Sequence, residues 1–323
     1  MITARTATEL RRHVAAWRAA GERVGFVPTM GALHEGHLAL VRRARELAPR
    51  TVVSIFVNPT QFNRADDLER YPRTPARDAE LLAAAGTDLL FLPAADEIYP
   101  PGDATRVEVA GPAEGLEGAK RPGHFRGVAT VVTRLFNLVQ PNVAVFGEKD
   151  GQQLAVVRRM VRDLHQPVEI VALPTVREAD GLAMSSRNAL LGEEDRGRAA
   201  VLHRALEVAR HAVEGGERDA GALRRAMRRV LDAGLRGDPA AEVEYAEVVD
   251  ADGFQPLERL PETGRVVLPV AAWVGGVRLI DNLQLEMGEV GSSRTPVALE
   301  TPAAPEPKIP SPPPPPGAAG TFE

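Results

Sequence analysis

Between residues 24 and 173, short apolar runs rich in β-branched residues alternate with longer stretches whose apolar positions recur at helical spacing. The runs at 24–28, 51–57, 88–92, 143–146 and 168–173 read as strands, and the alternation predicts βαβ units that build a parallel sheet. After the first run, Leu38, Val41, Ala44 and Ala48 share one helical face while Arg42, Arg43 and Glu46 turn outward. Leu10, Val14 and Trp17 mark an opening helix, and another is expected over residues 128–139.

Past residue 176 the order changes. Amphipathic patterns at 193–213 and 222–231 precede strand patterns near 243–249, 266–273 and 277–283. Helices first and strands after predict a smaller α+β domain. The expected architecture is therefore α/β, with a Rossmann-like parallel-sheet N-terminal domain over residues 1–175 and a smaller α+β C-terminal domain over 176–287. Residues 288–323 are Pro-rich, with Pro312 to Pro316 consecutive, a composition that predicts a polyproline II, disordered tail.

Composition narrows the function classes. A chain of 323 residues, 44% hydrophobic, fits two domains on a prior of ~150 residues each. Without cysteine there is no disulfide, no thiolate nucleophile and no Cys-based zinc site. A formal charge of -5 supplies no general attraction to nucleic acid or anionic membranes. No apolar run reaches the 18 residues of a membrane-span candidate. The opening helix carries Glu9 among arginines and lacks the continuous apolar core of a signal peptide. A cytoplasmic enzyme acting on small molecules is expected, without nucleic-acid or membrane partners. Of 39 basic residues only Lys120, Lys149 and Lys308 are lysines, so a lysine here marks a position that needs a compact ammonium.

The strongest local signal is Pro28-Thr29-Met30-Gly31-Ala32-Leu33-His34-Glu35-Gly36-His37, where the first strand gives way to the first helix. α/β sheets bind phosphate at such junctions, because a helix N-terminus offers unpaired N–H groups and partial positive charge. Two histidines three apart can face one anion there. Histidines that only cap a turn, or a zinc-binding pair, are the competing readings, but the spacing is not HExxH and no cysteine can complete a site. Neither a Walker A element nor a GxGxxG after a strand is present.

Further elements follow in order: FVNPTQF (Phe56 to Phe62), YPRT (Tyr71 to Thr74), RPGHFRGV (Arg121 to Val128), FGEKD (Phe146 to Asp150), DGLAMSSRN (Asp180 to Asn188) and RLIDN (Arg278 to Asn282). Together with the HxGH element this ordered set resembles the pantothenate synthetase family, within the nucleotidylyltransferase superfamily related to class I aminoacyl-tRNA synthetases. The resemblance covers roughly residues 1–287. It implies ATP-dependent condensation of pantoate with β-alanine, giving pantothenate, AMP and diphosphate through a pantoyl adenylate. ATP is then a substrate, Mg2+ its cofactor, and a homodimer the expected assembly.

By the same resemblance, His34, His37 and Lys149 are catalytic. Met30, Gly147, Asp150, Val176, Met184, Ser185, Ser186 and Arg187 join them in binding ATP. Gln61 and Gln153 hold pantoate, and Asp78 holds the metal. The chemistry suits these assignments. Amides bind a hydroxy acid's oxygens without adding negative charge, hydroxyls and a guanidinium match phosphates, and a carboxylate suits a hard cation. Arg121 and His124 match positions near the substrates, with a positioning role the alternative. Gly151 departs from the family's usual aromatic after Lys-Asp, which is expected to loosen packing beneath Gln153. Leu81 replaces a residue that is polar in some relatives, and no ligand role is carried to it. Another nucleotidylyltransferase, or a nucleotide-binding regulator without activity, would share the fold.

Overall fold

Strands that read as nearly continuous apolar runs need cover on both faces. The computed structural model, which describes residues 1–288, supplies it. The first six strands are β1 (Ile2–Ala4), β2 (Val24–Thr29), β3 (Arg50–Ile55), β4 (Leu89–Phe91), β5 (Val143–Gly147) and β6 (Glu169–Leu173). They pair in parallel in the order β1-β4-β3-β2-β5-β6. Successive side chains alternate between faces. Phe26, Val52, Phe91, Ala144 and Phe146 pack with residues of helices Ala7–Ala19, His124–Val139 and Gly151–Asp163. Val27, Val53, Leu90 and Val145 meet helices Glu35–Leu47 and Pro75–Ala84 on the other side. Gly25 lets the first of these lie close, since a Cβ there would stand 3.0 Å from the Ala44 carbonyl oxygen.

Chain order runs outward from β2 to β3 and β4, then returns to place β5 on the other side of β2. That is a topological switch point, where open α/β sheets bind ligands beyond the carboxyl ends of the strands. The β2–β5 ladder pairs only Gly25 with Val143 and Phe26 with Ala144. Two residues on, Pro28 has no N–H to extend it, and the strands part there.

The second sheet is antiparallel: β7 (Glu242–Ala246), β9 (Gly264–Val274) and β10 (Val277–Met287) in the order β10-β9-β7, with β8 (Val249–Asp250) also on β9. Helices Val201–Glu214 and Ala220–Gly234 share a core with it through Leu202, Leu206, Leu223, Met227, Leu268 and Val270. Both sheets belong to one compact unit, Met1–Gly288. The expected boundary after residue 175 falls in the irregular segment between β6 and the turn Ser186–Leu190.

Three local expectations change. The edge strand β1 goes unread in the sequence, because only Ala4 of its three residues is buried and no apolar run announces it. The single helix expected over 193–213 is two, Glu193–Ala199 and Val201–Glu214, meeting at Ala200, where ψ of -13 tightens the turn. The strand expected over 243–249 is divided into β7 and β8, with a register irregularity between Val243 and Tyr245. The expected Pro-rich tail, past Gly288, lies outside the described residues.

Candidate functional site

A cleft of about 240 Å³ opens at the switch point. Its lining comes from the end of β2 and the loop after it (Met30, His34, His37), from the segment after β3 (Asn58, Gln61), from the segment at the end of β5 (Gly147, Lys149, Asp150, Gln153), and from the segment after β6 (Val176, Met184, Ser185, Ser186, Arg187). Every residue that the sequence assigns to ATP or pantoate therefore meets in one place, as do Arg121 and His124. Asp78 is not part of that lining.

The two histidines are built into the helix start. His34 is the N-cap of helix Glu35–Leu47, and its Nδ1 accepts from the Gly36 N–H at 3.2 Å. His37, at the third helical position, accepts the His34 N–H on its own Nδ1 at 3.4 Å. This is a capping box with imidazoles in place of the usual hydroxyl and carboxylate. Gly36 makes it sterically possible, because a Cβ there would sit 2.9 Å from His34 Cε1. A neutral imidazole with an accepting Nδ1 carries its proton on Nε2. Burial, then the Lys149 charge, push His34 below its ordinary value. Burial, then His34, push His37 down to about 3. Both rings are thus neutral Nε2–H donors near pH 7. The expected free backbone N–H groups at this helix start are partly occupied by the rings, which pass the donor role to Nε2–H.

Asp78 is fully buried beneath the preceding loop. Its oxygens accept the Ala32 N–H and Leu33 N–H, each at 2.9 Å, and the Thr74 hydroxyl at 3.1 Å. Gly31 and Ala32 have φ of 84 and 49, and the carboxylate holds this left-handed stretch in place. A carboxylate so enclosed does not fit the metal role expected for it. Among the described residues, no group of three or more His, Cys, Asp or Glu is arranged to hold a metal ion.

Gln61 ends the turn Pro59–Gln61 and is buried. Asn58 donates to Gln61 Oε1 at 3.0 Å, which leaves the Gln61 amino group turned toward Met30 Sδ at 3.2 Å. A thioether is a weak acceptor, so this amide is ready for a better one. His124 Nδ1–H donates to the Gln61 carbonyl at 2.9 Å, and Gly127 lets the helix touch the turn, since a Cβ there would meet the Thr60 carbonyl oxygen at 2.5 Å. Burial, with Arg121 next, pushes His124 down to about 4. His124 thus positions Gln61 from behind while lining the cleft.

Gln153 faces the cleft, whereas its neighbour Gln152 turns away and binds the Glu117 N–H and the Pro112 carbonyl, each at 3.0 Å. Lys149 sits in the turn Glu148–Asp150, 3.7 Å from Asp150 Oδ1. Gly147 borders the open space of the cleft, since a Cβ there would meet nothing within 4 Å. Ser185 caps the Ser186–Leu190 turn by accepting from the Arg187 N–H, and Ser186 donates to the Ala32 carbonyl at 3.1 Å. Arg187 pairs with Asp67 at 3.3 Å. The looser packing expected from Gly151 is not seen at that residue, which is buried against the Asn282 side chain, where a Cβ would stand 3.2 Å from Nδ2.

Asn58, Arg177 and Asn282 were not singled out by sequence. Asn58 and Asn282 lie inside quoted motifs, which was the available signal, but their partners are distant in the chain. Arg177 forms a two-pronged pair with Asp281 at 2.6 and 3.0 Å and also holds the Gly181 carbonyl.

Comparison with known proteins agrees over this same span. The family model for pantoate-beta-alanine ligase matches residues 2–284. A pantothenate synthetase of Moorella thermoacetica is 53% identical over 284 residues, covering 88% of this chain and 98% of that protein. One of Cereibacter sphaeroides is 56% identical over 279 residues, 86% of this chain and 98% of that one. The crystal structure of pantothenate synthetase from Thermus thermophilus superposes with a TM-score of 0.79 at 52% identity, over 88% of this chain and 99% of the other. The pantoate-beta-alanine ligase of Francisella tularensis, complexed with beta-gamma ATP and beta-alanine, gives 0.70 at 34% identity, over 88% and 97%.

Proposed function

The chain belongs to the pantoate-beta-alanine ligase family, and from that premise we propose how its cleft carries out ATP-dependent formation of pantothenate. The observation that carries the reading is the convergence at one switch point of two neutral Nε2–H imidazoles, one ammonium and two glutamine amides.

In the first step a pantoate carboxylate oxygen attacks the α-phosphorus of ATP, an acyl–O–P bond forms, and pyrophosphate leaves with the bonding pair. His34 and His37 donate Nε2–H bonds to phosphate oxygens, and Lys149 follows the charge that grows on the leaving group. Ser185, Ser186 and Arg187 close on the β and γ phosphates, which requires Arg187 to exchange Asp67 for phosphate. Met30, Gly147, Asp150 and Val176 shape the rest of the nucleotide site. Gln61 and Gln153 orient pantoate, the former through the amino group that Asn58 turns inward. In the second step the β-alanine amine attacks the acyl carbon, loses a proton, and AMP departs. No side chain becomes covalently attached, so the acceleration rests on positioning and fixed dipoles.

Magnesium would arrive on the ATP phosphates and keep water ligands, as this ion commonly does, rather than being held by Asp78. No step above depends on a protein metal ligand. A homodimer and a cytoplasmic location accompany the family reading. Among the described residues, no helix is long and apolar enough to cross a membrane.

The direct assay is AMP release. It should require ATP, pantoate and β-alanine together. AMP formed equally well with another acid, or with a mononucleotide as acceptor, would favour a different nucleotidylyltransferase reaction.

A further inference from the structure

The turn that presents Lys149 is held from the second sheet. Asn282, on β10, is 5% exposed, and its side-chain amide donates to two consecutive carbonyls, Glu148 at 2.9 Å and Lys149 at 2.7 Å. Both hydrogens of the amide are thereby spent on one short turn, Glu148–Asp150, which has no side-chain cap of its own. The preceding residue, Asp281, grips Arg177 at the foot of the segment that carries Ser185. Asn282 is itself fixed in place, since its N–H donates to Asp281 Oδ1 at 2.8 Å and its carbonyl accepts from Arg177 at 3.3 Å.

We propose that Asn282 is a positioning residue for the reaction, acting through Lys149 by fixing the backbone from which that ammonium reaches the cleft. The geometry makes the side chain hard to replace. Aspartate in its place keeps the shape but turns acceptors toward two carbonyl oxygens, so the turn is repelled where it was held. A displacement of the turn moves the Lys149 stem with it, and a misplaced reacting group of about 1 Å is enough to cost roughly a hundredfold in rate.

The proposal rests on Lys149 acting in adenylate formation, and a double-mutant cycle separates the two ideas. Asn282→Asp, Lys149→Ala and the double variant are compared by pantoate-dependent exchange of pyrophosphate into ATP, with thermal melting as the check on folding. Asn282→Asp is expected to lower the exchange rate at least tenfold in the wild-type background and less than twofold in the Lys149→Ala background, because its only route is already gone. The same factor in both backgrounds, or a near-normal Asn282→Asp enzyme, overturns the proposal. An unaffected Lys149→Ala enzyme instead sinks the underlying reading of Lys149. Should the aspartate variant not fold, Asn282→Ser, which keeps one donor, carries the same cycle with a smaller expected loss.

Discussion

His34 and His37 hold their ring centroids 4.1 Å apart, each with Nδ1 turned back onto a backbone N–H of the helix start. The consequence is a pair of Nε2–H donors at the cleft whose tautomer is set by the fold rather than by the ligand. This arrangement distinguishes the two ends of each ring.

Glutamine and asparagine can imitate those ends separately. His37→Gln keeps an N–H near the ε position, whereas His37→Asn keeps only a group near Nδ1 that can accept the His34 N–H. The glutamine variant is expected to retain about tenfold more pyrophosphate exchange than the asparagine variant, in line with the value of a single preorganised donor. Equal losses, or the reverse order, would assign the rings to capping alone.

Burial of neutral histidine gives a pH signature. The folded values of His37 and His124 are about 3 and about 4, while an unfolded chain takes up each proton near 6.5. Between those values the unfolded state binds more protons, so stability falls as pH falls through 6.5 and is fully present above it. From pH 7.5 to 5.5 the two groups together should remove about 2.7 kcal/mol from the unfolding free energy. Urea melts across that range check this, and His124→Gln should remove about half of the loss. A flat profile in the wild type would contradict the buried, neutral assignment.

Asp78 tests a structural role against a metal role. Asp78→Ala strips acceptors from two backbone N–H groups and one hydroxyl, and unpaired buried donors cost roughly 1–3 kcal/mol each. A lower urea midpoint and a reduced rate that extra magnesium does not restore are the expected results. Unchanged denaturation with a rate recovered by magnesium would return Asp78 to metal binding.

Much of this site was legible in the chain because its chemistry is local. The histidine pair lies within one turn, the apolar runs mark the strands whose ends they follow, and Lys149 stands out in a chain that otherwise uses arginine. What stayed hidden depends on distant partners. Asp78 has the composition of a metal ligand, and only the fold shows its oxygens turned to Ala32 and Leu33, across 46 and 45 residues of sequence. Asn282 reaches Lys149 across 133 residues, a pairing that no spacing within RLIDN encodes. Likewise the proton on Nε2 follows from where Nδ1 points, which is a property of the folded helix start.

The central claim is that this cleft activates pantoate on the α-phosphorus before any amine is bound. Exchange of labelled pyrophosphate into ATP, with pantoate present and β-alanine absent, tests it most directly. The wild-type protein should exchange, and His34→Ala and His37→Ala should each slow the exchange by roughly a hundredfold while remaining folded. Pantothenate formation without pantoate-dependent exchange, once slow pyrophosphate release is excluded, or undiminished exchange in both folded histidine variants, would contradict the account.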